Sequence, residues 1–119
     1  MANTIAVTKT DRGNKQFQGA FKEMFFVTAT VSDQDAIADD VSVEVDLTVP
    51  GLALGDMVVG LSSTIAPTDA NASVVIDPYV AAANTLTLKI TNVDATTDAF
   101  DADTLNGAVI KIALGRPNW

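Results

Sequence analysis

Between Val41 and Val49 the chain alternates apolar and polar residues without a fault. Val41, Val43, Val45, Leu47 and Val49 lie on one phase, and Ser42, Glu44, Asp46 and Thr48 on the other. A period of two belongs to a β-strand, because successive side chains of a pleated backbone point to opposite faces. One face therefore enters a core and the other meets water. Burying the five apolar side chains contributes about 8–15 kcal/mol before conformational entropy is subtracted. Pro50-Gly51, a turn dipeptide, ends the strand. Val43, Val45 and Leu47 are thus expected core residues.

The rest of the chain extends this pattern. Fourteen Val, fourteen Thr and seven Ile stand against two Glu, three Gln and five Lys. Branching at Cβ stiffens χ1 and favours the strand, whereas the scarce residues are those that usually cover exposed helix faces. Phe17–Val31 places Phe17, Phe21, Phe25, Val27, Ala29 and Val31 on one phase, interrupted by Glu23, with Met24 and Phe26 apolar on the other. Burial on two faces suggests a strand partly covered by a neighbour or a second subunit. Met57–Leu61 reads as a short strand. Ser73–Asp77 continues through Pro78 to Ala83-Asn84, and Leu86, Leu88 and Ile90 then alternate with polar residues. That pair predicts a hairpin, with Pro78 restricting its strand to an edge or bulge. Val109–Leu114 closes the pattern, and Ile5-Ala-Val7 is a candidate for one more short strand.

These elements predict an all-β fold: one β-sandwich of six to eight strands, with the jelly roll among its variants. Asp11-Arg-Gly-Asn-Lys15 is polar and contains glycine, so residues 1–15 are expected as an N-terminal arm and residues 16–119 as the sandwich domain. Asn92–Asn106, the longest irregular stretch, is expected as an exposed loop.

The chemistry on offer is sparse. The 119 residues include no cysteine and no histidine. That removes disulfides, thiolate nucleophiles, the commonest general base and the commonest transition-metal ligand. No apolar stretch approaches the length of a membrane-spanning helix, and residues 1–20 show no signal-peptide core. The acids fall in turns or on the polar phases of strands, where little would raise a carboxyl pKa, so no enzyme activity and no cofactor are expected. Asp94, Asp98, Asp101 and Asp103 are close enough to be weak candidates for a cation site, Asp98, Asp101 and Asp103 above all, although no EF-hand spacing is present. The bland reading is a solvated acidic loop.

The formal net charge is −8, unevenly spread. Residues 1–24 carry four cations against two acids, whereas residues 25–119 carry three cations against thirteen acids. So acidic a body should avoid nucleic acid and anionic membranes. Lys9, Arg12 and Lys15 form a cationic cluster in the expected arm, which makes them candidate contacts to an acidic partner. Phe25 and Phe26 belong to a concentration of phenylalanines that serves either a core or a subunit interface, and Trp119 is either a frayed end or an interface anchor.

The order of these features from Asp39 onward also resembles a known family. An alternating strand ends in Val49-Pro-Gly-Leu52, Gly55-Asp56-Met-Val-Val59 follows, then Ala82–Asn92 and the apolar strand Val109–Leu114. The pattern, over roughly residues 25–115, resembles the small β-sandwich capsid decoration (cement) proteins of tailed bacteriophages. The chain departs from it by its acidic Asp94–Asp103 loop, where similar phage sequences are expected to be glycine-rich. The resemblance implies a structural virion protein, commonly a homotrimer, made in the bacterial host cytoplasm. It implies binding to the major capsid protein on the outside of an icosahedral head, where bridging of capsomers stabilises the shell. A tail-fibre or carbohydrate-binding β-sandwich module is the alternative, though one Tyr and one Trp are few for aromatic platforms. A carboxylate-dependent hydrolase is a more distant alternative.

Overall fold

The computed structural model describes residues 3–13, 20–70, 72–94 and 97–118, so Lys15, Phe17 and Trp119 of the sequence reading lie outside the described residues. Seven strands are present among the described residues: β1 (Thr4–Gly13), β2 (Phe21–Asp33), β3 (Ser42–Thr48), β4 (Met57–Ser63), β5 (Val74–Ala82), β6 (Thr85–Asn92) and β7 (Val109–Pro117). They form a four-stranded sheet ordered β1-β2-β7-β4 and a three-stranded sheet ordered β3-β6-β5, antiparallel throughout. The protein is an all-β sandwich. A jelly roll uses eight strands, so the four-plus-three arrangement of the described residues differs from that variant.

The three inner strands of the sandwich supply half of the buried core. From β6 come Leu86, Leu88 and Ile90. Facing them from the four-stranded sheet are Ile110, Ile112 and Leu114 of β7 and Phe25, Val27, Ala29 and Val31 of the adjacent β2. Burying one such Leu or Ile contributes about 1.5–3 kcal/mol, which is why the alternation fixes the faces so firmly. Leu47 is buried, while Val43 and Val45 pack on the core but are only partly covered, because β3 is an edge. Pro78 lies on β5, also an edge, as its missing N–H requires. Asn84 turns the β5–β6 hairpin at a φ of 62°, where its short polar side chain tolerates the left-handed region.

Two expectations need correction. Residues 4–13, expected within an arm, are β1, paired with β2 from Thr4↔Asp33 to Gly13↔Met24. The pairing shifts register between Val7 and Lys9, leaving Thr8 as a bulge. A bulge reverses the inward phase, so Ile5 and Val7 are followed inward by Thr10 and Arg12, and no continuous alternation marks the strand. The Asn92–Asn106 stretch is likewise more than an exposed loop. Phe100 and Leu105 are buried against the core. Phe100 also forms a bridge to Ile37 through two backbone hydrogen bonds of 2.8 and 3.0 Å.

Candidate functional site

The residues singled out in the sequence are sent to different places. Arg12 projects inward at the end of the sandwich, where its Nε donates to the Glu23 carboxylate. Arg116 forms a two-pronged pair with Asp56, Nε to Oδ1 at 3.0 Å and Nη2 to Oδ2 at 2.9 Å, and Nη2 also donates to the Gly51 carbonyl at 2.8 Å. Both guanidiniums stack on the Phe25 ring, with 4.9 and 5.5 Å to its centroid. Hydrogen bonding to Arg12 holds the Glu23 carboxyl below its usual range. Each arginine is in turn held more firmly protonated, Arg12 by its bond to Glu23 and Arg116 by its bond to Asp56. Gly51, at a φ of 90°, sits against the Arg12 guanidinium so closely that a Cβ would collide with it. This is a structural clamp. Arg12, expected from the sequence as a contact to an acidic partner, is paired with Glu23 while its side chain stays 47% exposed.

The expected place of Phe25 at a subunit interface is corrected, since its side chain is fully buried within the single chain. Phe26 behaves as expected of the opposite phase, pointing outward and 41% exposed. The weak cation candidates do not converge. The Asp101 N–H donates to Asp69, the Asp103 N–H donates to the Gln34 carbonyl, and the Asp103 carboxylate accepts from Asn106. Among the described residues no three His, Cys, Asp or Glu side chains are gathered to hold a metal ion.

What does converge is the outer face of the four-stranded sheet. Its register aligns two neighbouring rungs. One runs Asp11, Phe26, Ala113, Gly60; the next runs Lys9, Thr28, Lys111, Ser62. Phenylalanine therefore stands beside two positions with almost no side chain, and a lysine alternates with a short hydroxyl residue in the adjacent row. The result is a groove of about 470 Å³ across all four strands. Its floor is small residues and its walls are one aromatic ring and two ammonium groups. Lys9 is in part neutralised by Asp11 at 3.5 Å, with both side chains largely exposed. On a chain of net charge −8, this face gathers cationic and apolar groups together. Such a surface can grip an anionic partner with an apolar centre.

Of these residues, Lys9 and Phe26 were legible in the sequence. Lys111, Gly60 and Ser62 were missed. The outward phase of Val109–Leu114 marks Lys111 as exposed, but its alignment with Lys9 requires the β2–β7 pairing, which joins strands distant in sequence.

Comparison with known proteins finds no family model, no curated protein and no solved structure that matches the chain.

Proposed function

We propose that this chain is a structural virion protein that docks on the outside of an icosahedral phage head and stabilises it by adhesion between capsomers. The observation that carries the reading is the pair of rungs bearing Phe26, Lys9 and Lys111 on the outer face of the four-stranded sheet. The strand-and-turn resemblance to decoration proteins and the β-sandwich fold support it. To the contact expected at Lys9, Arg12 and Lys15 this reading adds Lys111 and Phe26, which line one groove with Lys9. Aromatic anchors carry much of the energy of protein interfaces, and a lysine at the rim mainly sets orientation and association rate. Assembly as a trimer would multiply a modest single contact through avidity.

The test is co-sedimentation with expanded heads assembled from the major capsid protein of the same genome. The double variant Phe26→Ser, Lys111→Glu should lose binding while retaining its circular dichroism. Asp77→Asn, on the opposite sheet, should bind like the parent. A genome without a major capsid gene overturns the proposal, and so does equal binding by both variants.

A further inference from the structure

We infer that the free edge of β3 is a strand-addition site for a basic, extended polypeptide. β3 pairs with β6 through seven consecutive positions without a register shift, from Ser42↔Thr91 to Thr48↔Thr85. At its two ends the Val41 carbonyl accepts from the Asn92 N–H at 3.0 Å, and the Val49 N–H donates to the Asn84 carbonyl at 2.9 Å. Antiparallel pairing alternates, so the odd residues turn their backbone groups to β6. The N–H and C=O groups of Ser42, Glu44, Asp46 and Thr48 therefore point away from the sheet.

The other edges are blunted, as exposed edges usually are. β1 carries a bulge at Thr8, β4 shifts register between Val58 and Gly60, and β5 contains Pro78 and a shift between Val80 and Ala82. β3 has none of these. Beneath it, Val43 and Val45 face the core but are incompletely covered, whereas Leu86, Leu88 and Ile90 on the adjoining strand are fully buried. A second groove of about 320 Å³ opens beside it, between Asp46–Thr48 and the Ile5–Val7 stretch of β1. An added strand would pair with the exposed backbone, cover the two valines and direct an apolar side chain into that groove.

Charge selects the occupant. The outward side chains of β3 include Glu44 and Asp46; across the sheet Lys89 lies opposite Glu44, with Asp77 beyond it. Glu44 accepts from the Tyr79 hydroxyl and Asp46 from the Thr87 hydroxyl, so both stay on this face. If two copies paired antiparallel through β3 about Val45, each Glu44 would oppose the other's Asp46. Like charges directly across a ladder are destabilising. A segment with lysine or arginine on that phase and apolar residues on the other reverses the sign, and strand addition takes its specificity from just such alternate side chains.

The probe is a fluorescent, end-blocked octapeptide alternating lysine with valine, followed by anisotropy. Binding should saturate, and a glutamate-for-lysine version should bind at least about tenfold more weakly, as should the parent peptide to Glu44→Gln, Asp46→Asn protein. A strand pairs along one of its edges only. Hence N-methylation of either all lysine amides or all valine amides should abolish binding, and methylation of the other set should be tolerated. In the free protein the amides of Ser42, Glu44, Asp46 and Thr48 should exchange quickly with solvent, and the peptide should protect them. Equal binding of both methylated isomers reduces the contact to charge adsorption and overturns the inference. Concentration-dependent protection of those amides without peptide assigns the edge to a second copy and also overturns it.

Discussion

The side-chain oxygen of Gln34 accepts a hydrogen bond of 3.0 Å from the backbone N–H of Leu105, 71 residues further along the chain. The same amide donates to the Asp101 carbonyl at 3.0 Å, while the Gln34 backbone accepts from the Asp103 N–H at 2.9 Å and donates to the Asn106 side chain at 3.0 Å. Gln34 is 1% exposed, so these bonds fasten the 101–106 segment to the end of β2 out of water. Replacement by leucine keeps the volume but orphans the Leu105 N–H, whereas the Asp101 carbonyl keeps the Thr104 hydroxyl as a donor. An orphaned buried group costs about 1–3 kcal/mol. Urea unfolding of Gln34→Leu should show a lower midpoint with an unchanged slope; a midpoint equal to the parent's contradicts the role given to Gln34.

Two phenylalanines provide a direct contrast. Phe100 is fully buried and Phe26 faces outward. Phe100→Ala should cost about 3–5 kcal/mol, the usual penalty for emptying a buried aromatic site. Phe26→Ala should stay within about 0.5 kcal/mol, as exposed substitutions do. Paired denaturation curves check both values.

The clamp at Arg12, Glu23, Asp56 and Arg116 makes stability depend on acid. Because Glu23 is held below its ordinary pKa of 4.5 by Arg12, its contribution is complete at neutral pH. Protonation binds more readily to the unfolded chain, so this contribution is lost as pH falls from that ordinary value through the lowered folded one. Glu23→Gln should be less stable than the parent at pH 7, and the difference should shrink through that acid window. Thermal unfolding at a series of pH values measures it.

Tyr79 offers a spectroscopic check, since it is the one tyrosine of the chain. Desolvation, followed by its hydrogen bond to Glu44, raises its pKa above the ordinary 10.0. Tyrosinate absorbance should therefore rise at higher pH than in the unfolded chain. Glu44→Gln should move the midpoint back toward the ordinary value without restoring it fully, because desolvation remains.

How far the sequence could be read depends on whether a signal was local. The Val41–Val49 alternation located β3, and Pro78 correctly confined β5 to an edge, because both rest on strand geometry within a few residues. Ile5-Ala-Val7 marked the start of β1, but the bulge at Thr8, which changes phase midway and puts Thr10 and Arg12 inward, hid its continuation. Phe100 stood alone in an acidic stretch, so no period could reveal that it fills the core. The cationic groove was less legible still. Lys9, Phe26, Lys111 and Gly60 belong to four strands, and only their pairing makes them neighbours.

The position of β7 has a consequence for how the protein is made. It is the last of the seven strands to leave the ribosome, yet it lies between β2 and β4 and supplies Ile110, Ile112 and Leu114 to the core. Until it emerges, the four-stranded sheet has a gap at its centre, and β2 and β4 each present an unpaired inner edge. Synthesis of everything before β7 therefore proceeds with that sheet divided, and the sheet closes only when β7 can enter between its two halves.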